Sequence, residues 1–147
     1  MKAREWLERG RQQTNPIDAF TDFWRAFNHL FSSVGNGHEC DKIKLFLGQQ
    51  LSEAQAKEIL QNNAASVSYL LSQPVIDMRG NGKNTMQNIQ AFGMAVDSLA
   101  KLKELFMVIY QVRCNLEHGQ KSPSIDRDIM LCQSAAPLVA YVVNRNI

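Results

Sequence analysis

A stripe of large apolar residues recurs every three or four positions early in the chain, and this spacing constrains the fold more than any other feature. Such a spacing places the side chains on one face of an α-helix. Asn15 and Pro16 supply a start, because Asn is a favoured N-cap and Pro is favoured at the first helical position. The stripe consists of Ile17, Phe20, Trp24, Phe27, Phe31 and Val34, and Gly35 and Gly37 follow it. We therefore predict an aromatic helix that begins at Pro16 and supplies the principal core face.

Helical spacing recurs along the rest of the chain, whereas the period-two alternation of a strand never lasts. Ser52 and Gln55 match a capping box, which predicts a helix start. One helix from 85 to 118 would be about 50 Å long, so we predict a break at Gly93. The other predicted helices cover 2–13, 41–51, 54–60, 65–71, 85–92, Ser98–Glu117 and a last segment that starts at 122–124 and is kinked at Pro137. We expect an all-α bundle of about five helices with mostly antiparallel neighbours.

The segment at 77–84, DMRGNGKN, is predicted to be the principal loop, because it holds two glycines and two asparagines. Arg79 and Lys83 lie within it. They are candidates for contact with phosphate groups, and the alternative is a loop whose cations are simply solvated.

Length and composition are those of an ordinary globular domain. The chain has 147 residues, of which 45% are hydrophobic and 20% charged. We predict a single domain over 1–147, with 1–14 as a peripheral N-terminal helix that docks through Trp6 and Leu7. A net charge of +2 is too mild to indicate nucleic-acid binding from bulk charge. An anionic partner would therefore have to be recognised locally.

The cysteines and the apolar runs predict a cytoplasmic protein without membrane contact. Cys40, Cys114 and Cys132 are an odd number without paired spacing, which favours a reducing compartment over a disulfide framework. Residues 1–13 lack the apolar stretch of a signal peptide. The longest strongly apolar run, near 105–112, is shorter than the roughly 20 residues that a membrane span needs.

Arg113 breaks the apolar face of the long predicted helix. The three–four spacing between Ile109 and Leu116 lands on Arg113, and such a break often marks strain or function. Two ordinary explanations stay open. Arg113 could pair with Glu117 one turn on, a contact worth only about 0.2–0.5 kcal/mol. His118 could be a cation that the dipole of the helix C-terminus stabilises.

The segment at 108–121, VIYQVRCNLEHGQK, resembles the HEPN superfamily, whose signature is Arg-x4–6-His at a helix end. The earlier segment IDAFTDFWRAFNHLF is similar to the aromatic first core helix of small bacterial HEPN proteins. The resemblance covers 15–141, and its specific part is VRCNLEHG. It implies an up-and-down HEPN-like bundle. Many HEPN domains are metal-independent endoribonucleases in defence, stress or toxin–antitoxin systems, and many form homodimers. Others have no activity and only bind RNA or a partner protein, such as a cognate antitoxin or nucleotidyltransferase.

By position, the resemblance implies that Arg113 and His118 are the catalytic pair and that Asn115 takes the polar role of the family. His118 would act as base or acid, since an unperturbed histidine has a pKa of about 6.5. Arg113 would hold phosphate oxygens, Asn115 would orient the phosphate or the histidine, and Lys121 would contact the RNA backbone. The implied chemistry uses no cofactor and no metal. Gln120 stands where a toxin subset carries a modifiable tyrosine.

Ideal helix geometry is difficult to reconcile with this pair. Five residues rotate by about 500°, so Arg113 and His118 would point about 140° apart. They converge only if the helix loosens at Gly119 or if two chains supply the parts. We therefore predict a twofold homodimer in which both helix ends meet at one cleft. The alternative is a non-catalytic HEPN module, which Glu117 favours because a carboxylate repels phosphate.

Two other patterns are weaker. His29, His38 and Cys40 are metal-ligand types, but no fourth ligand has usable spacing, so coincidence is the favoured explanation. Cys114 is next to Arg113, and a lowered thiol pKa there would permit a thiol-based site. Cysteines in apolar helices are more often buried packing residues.

Overall fold

The chain folds into α-helices joined by short connections, in a computed structural model that describes residues 1–117, 119 and 125–147. The helices of these residues are α1 (Lys2–Gln12), α2 (Pro16–Phe31), α3 (Glu39–Gln50), α4 (Glu53–Asn62), α5 (Ala64–Leu71), α6 (Met86–Met94), α7 (Ser98–Glu117) and α8 (Asp126–Arg145). The predicted all-α class is confirmed. The described ranges hold eight helices, so the count of about five is not confirmed. The breaks after Gln50 and Asn62 separate α3, α4 and α5, close to the bounds predicted for these segments.

Local signals placed several helix ends correctly. The side chain of Asn15 accepts hydrogen bonds from the amides of Ile17 and Asp18 at 2.9 and 3.3 Å. The capping box at Ser52 and Gln55 forms both of its hydrogen bonds. These contacts lie within one turn of sequence, so residue type and spacing are enough to predict them.

Gly93 and Pro137 lie within helices instead of ending them, whereas Gly119 adopts a turn conformation. α6 runs through Gly93 and ends one residue later at Met94, which confirms the break before α7. α8 continues through Pro137. The predicted start of this last helix at 122–124 lies outside the described residues. Gly119, in contrast, has φ +68°, a conformation that favours glycine, and its N–H donates to the carbonyl of Leu116 at 3.0 Å.

α2 is the aromatic helix of the core. Phe20, Phe27 and Phe31 are fully buried. The ring of Phe27 lies 5.4 Å from that of Phe106 on α7 and 5.0 Å from that of Phe31, at angles typical of edge-on aromatic packing. α2 packs mainly between α1 and α8. The predicted stripe therefore forms the principal core face.

α1 is packed into this core more deeply than its two predicted docking residues suggest. Ala3 and Leu7 are fully buried, and Gly10 lies against the ring of Phe23 on α2. A Cβ at Gly10 would stand 2.5 Å from two ring carbons of Phe23. The absence of a side chain at Gly10 is what lets α1 approach α2 closely.

α7 is the central helix, and α4 fixes its start. Both carboxylate oxygens of Glu53 accept hydrogen bonds from α7 amides, from Ser98 at 2.8 Å and from Leu99 at 2.9 Å. These backbone donors hold the pKa of the Glu53 carboxyl below its usual value. Asp97 adds a third bond as its side chain accepts from the amide of Ala100 at 2.7 Å.

Among the helices described, none is both long enough and apolar enough to cross a membrane.

Candidate functional site

Arg113 lies on the wall of an open cavity of about 540 Å³ between α1, α2 and the C-terminal part of α7. The cavity is lined mainly by aromatic, basic and neutral polar side chains, together with one carboxylate, Glu117. Trp6, Phe20 and Trp24 supply the rings, and Arg25 and His29 on α2 join Arg113 as basic groups. The break that the sequence shows in the apolar stripe of α7 is therefore the point where that helix faces the cavity.

Two carboxylates hold Arg113 in place. Its Nη1 lies 2.6 Å from Oε2 of Glu117 and 3.4 Å from Oε2 of Glu39 on α3. Its side chain is 20% exposed, whereas both carboxylates are more exposed. The pair with Glu117, one of the ordinary explanations open from the sequence, is confirmed. The pair with Glu39 joins residues 74 positions apart and has no signal in local spacing.

Asn115 faces away from this cavity. Its side chain is 1% exposed; Oδ1 accepts from the amide of Met78 at 3.2 Å and from Nε2 of Gln111 at 3.0 Å. Nδ2 donates to the carbonyl of Ile76 at 2.9 Å. Two residues along a helix rotate by about 200°, which separates Asn115 from Arg113. The structure therefore does not bring this predicted site residue to the cavity, and it uses the amide to hold the segment that enters loop 77–84.

Asp77 organises that loop from within. Its side chain is 2% exposed and accepts from the amide, Nε and Nη2 of Arg79, with the Nη2 contact at 2.7 Å. Asn81 donates a further bond to it at 2.9 Å. The Arg79 and Asn81 side chains hold the pKa of the Asp77 carboxyl well below its usual range. The guanidinium fork of Arg79, a candidate for phosphate contact, is thus occupied by Asp77, while Lys83 is exposed.

Cys114 is a partly buried residue, in line with the packing role that the sequence favours, and its thiol pKa is not lowered. Burial raises the pKa of the Cys114 thiol. A hydrogen bond with Tyr110 and the charge of Arg113 act in the opposite direction, because they stabilise the thiolate, but their effect is smaller. Burial is also the largest cause of the raised pKa of Cys40 on α3, and the second cause is electrostatic repulsion by Cys114. Both thiols are free, and their raised pKa values oppose thiolate chemistry at neutral pH.

The other two predicted site residues, His118 and Lys121, lie outside the described residues. α7 ends at Glu117, and Gly119 turns with positive φ. The divergence of about 140° requires an ideal helix through position 118. The backbone at position 118, on which this geometric objection depends, also lies outside the described residues.

Sequence reasoning missed the α2 side of the cavity. Thr21, Arg25, Asn28 and Ser32 recur at steps of four, three and four, which is a second helical stripe one residue after the aromatic one. The sequence suggests His29 only as a metal ligand, yet in the structure it lines the same cavity. The stripe was visible, but ordinary solvated helix faces show the same pattern.

Comparison with protein-family models, with curated proteins and with solved structures finds no match to this chain.

Proposed function

We propose that the chain is a metal-independent endoribonuclease of HEPN type, acting at the C-terminal end of α7. We place it in the cytoplasm, with a role in defence, stress or a toxin–antitoxin system. One observation carries the proposal: Arg113 shares the wall of an open cavity with a second guanidinium, Arg25, and an imidazole, His29. Guanidinium forks bind phosphate bidentately, and imidazoles transfer protons near neutral pH.

The reaction transfers two protons and exchanges one bond at phosphorus. A base takes the proton of the ribose 2′-OH, and the 2′-oxygen forms a bond to phosphorus. The bond from phosphorus to the 5′-oxygen breaks, and an acid gives that oxygen a proton. The products are a 2′,3′-cyclic phosphate and a 5′-hydroxyl. Arg113 stabilises the charge on the equatorial phosphate oxygens.

Two sources are available for the acid and the base. His118 supplies one imidazole in each chain, and a twofold dimer with both α7 ends at one cleft supplies a second copy. His29 offers a second imidazole within one chain, since it lines the same cavity as Arg113. Lys121 contacts the RNA backbone, and Asn115 acts indirectly by holding the segment before loop 77–84 against α7.

The second candidate is a non-catalytic module that binds RNA or a partner protein such as a cognate antitoxin or nucleotidyltransferase. The pairing of Arg113 with Glu117 at 2.6 Å and with Glu39 favours it. Arg113 would have to break at least one of these ion pairs before its guanidinium could bind the phosphate of the transition state.

Incubation with RNA in EDTA separates the two candidates. Wild type is compared with Arg113→Ala and His118→Ala, and the matched controls are Arg145→Ala, which removes an arginine paired with Glu58, and His38→Ala, which removes an exposed histidine. Cleavage that is lost in the first two variants and kept in the controls supports the enzyme. Binding without cleavage by folded wild type, across varied RNAs, supports the module instead.

A further inference from the structure

Trp6 of α1 is held at the cavity by arginines. The guanidinium carbon of Arg25 lies 4.9 Å from the centre of the Trp6 ring, and that of Arg9 lies 5.5 Å from it. Arg25 is also paired with the buried carboxylate of Asp22 at 3.1 Å, yet half of its side chain is exposed. The indole of Trp6 and the guanidinium of Arg25 form one surface that Asp22 keeps in place, named here the Trp6–Arg25 platform.

Trp24 lines the same cavity and carries a buried indole N–H. Its ring lines the cavity and is 3% exposed, and its Nε1 has no acceptor among the described residues. Leaving a buried donor without an acceptor is unfavourable.

The dimensions and charges suit one nucleotide. A volume of about 540 Å³ lies within the range of small-ligand sites. The platform offers flat apolar and guanidinium surface, on which nucleobases stack. Arg113 stands on the α7 wall of the same cavity and offers a cation to a phosphate.

We propose that the Trp6–Arg25 platform is a subsite for one unpaired nucleobase whose adjoining phosphate faces Arg113. The base is unpaired and unstacked in its strand, because inside a duplex both of its faces are covered by neighbouring bases. The inference rests on the proposed function in taking RNA as the source of that nucleotide. A free mononucleotide carries the same chemistry. The subsite gives α1 a role in binding besides packing.

Binding to an uncleavable ligand tests the subsite apart from catalysis. A labelled single-stranded 2′-O-methyl oligouridine is titrated against wild type, Trp6→Ala, Trp6→Phe and Arg25→Lys. We expect Trp6→Ala to weaken binding about 5- to 100-fold and Trp6→Phe to keep most of the affinity. Arg25→Lys keeps the charge but loses the planar group, so it also weakens binding. Equal affinity of wild type and Trp6→Ala would overturn the proposal.

Matched ligands and a matched variant show whether a loss of affinity in the platform variants comes from the nucleobase. Arg145 lies 5.5 Å from the ring of Tyr141, away from the cavity, and Arg145→Lys should bind like wild type. An abasic oligonucleotide and the same strand annealed to its complement should bind wild type more weakly and be insensitive to Trp6→Ala. Competition by uridine monophosphate would identify a free nucleotide as the source, and its failure to compete would identify the RNA strand.

Photo-crosslinking of wild type keeps the test independent of folding defects. Single-stranded 2′-O-methyl RNA with 5-iodouridine should crosslink to α1 or α2 peptides that contain Trp6 or Trp24, mapped by mass spectrometry. Crosslinks confined to other peptides would overturn the subsite. If the platform variants lose binding but wild type never cleaves RNA, the subsite stands and the catalytic proposal fails. If Arg113→Ala abolishes cleavage but Trp6→Ala binds RNA normally, the catalytic proposal stands and the subsite fails.

Discussion

Arg113 is shared between two carboxylates at the edge of a cavity, and this arrangement controls what else it can bind. Glu117 is half-exposed and makes the shorter contact, 2.6 Å. In a helix, a pair in this order contributes only about 0.2–0.5 kcal/mol. A phosphate that approaches Arg113 also approaches the Glu117 carboxylate, which repels it. The carboxylate therefore weakens anion binding more than it stabilises the fold.

Glu117→Gln should accordingly raise RNA affinity with little change in stability. We expect binding to tighten about 3- to 10-fold, since the lost repulsion between partly exposed charges is about 1 kcal/mol. The free energy of unfolding should change by less than about 0.5 kcal/mol. Fluorescence anisotropy and chemical denaturation measure the two quantities. Glu58→Gln is the matched control, because Glu58 is also half-exposed and paired with an arginine, Arg145 at 3.1 Å. Equal gains in both variants would mean that only net charge matters.

Asn115→Ala should destabilise the protein rather than act on chemistry alone. The change leaves the Met78 amide and the Ile76 carbonyl without their side-chain partner. We expect a loss of about 1–3 kcal/mol in the free energy of unfolding. Asn88→Ala, which removes one hydrogen bond of 3.3 Å to Glu104, should cost less. An Asn115→Ala protein of unchanged stability that fails to cleave RNA would instead favour the direct role implied by the family resemblance.

Asp77 should make stability depend on acid pH. Its folded pKa is depressed by hydrogen bonds from Arg79 first and Asn81 next, so it contributes stability above its unfolded pKa of about 3.9. This contribution declines as pH falls below about 4. Asp77→Asn should therefore cost about 1–3 kcal/mol at neutral pH, and the difference from wild type should shrink in acid. Denaturation of both proteins across pH measures it, and a difference that is constant down to acid pH would contradict the assignment.

At the scale of elements, α1 and α2 form one wall of the cavity through a contact that only glycine permits. A Cβ at Gly10 would lie 2.5 Å from Phe23 ring carbons, so the ring or the helix must move. We expect Gly10→Ala to cost about 1–3 kcal/mol, although alanine is normally the better helix former. Gly93→Ala is the matched control, because Gly93 lies within α6 and has nothing within 4 Å. It should be neutral or stabilise by up to about 1 kcal/mol. Thermal unfolding of both variants tests the contrast.

The helices were predictable where the deciding interactions are local. The Asn15 cap, the Ser52–Gln55 box and the bounds of α7 all follow from residues within one or two turns of each other. The Glu53 cap of α7 does not, since its partners are 45 and 46 positions away. The same holds for Gly10 against Phe23. Periodicity shows which face of a helix is apolar, but it does not show which helix covers that face.

The candidate site was predictable in part for a similar reason. Arg113 was found because it interrupts an apolar stripe, and the interruption is a property of one helix. The direction of Asn115 towards Ile76 and Met78 depends on tertiary packing. So does the placement of Trp6 and His29 in the same cavity as Arg113. Burial raises the pKa of the Cys114 thiol in spite of the neighbouring arginine, because adjacency in sequence says nothing about desolvation.

At the scale of the whole molecule, the proposed dimer determines whether one active site draws on one chain or two. Light scattering should give twice the 16.6 kDa of one chain. Mixing Arg113→Ala with His118→Ala then tests the source of the residues. If Arg113 of one chain acts with His118 of the other, random pairing gives half mixed dimers with one intact site of two, so about one quarter of wild-type activity returns. If both residues act within one chain, or if one cleft uses both copies of His118, no site in any mixture is intact and activity stays at the level of the single variants. An equal mixture of wild type with His118→Ala separates these two cases, since a one-chain site keeps about one half of wild-type activity and a cleft that needs both copies keeps about one quarter. Full activity in a strict monomer would contradict the dimer cleft and favour His29 as the second imidazole. His29→Ala tests that role, with His38→Ala as its control.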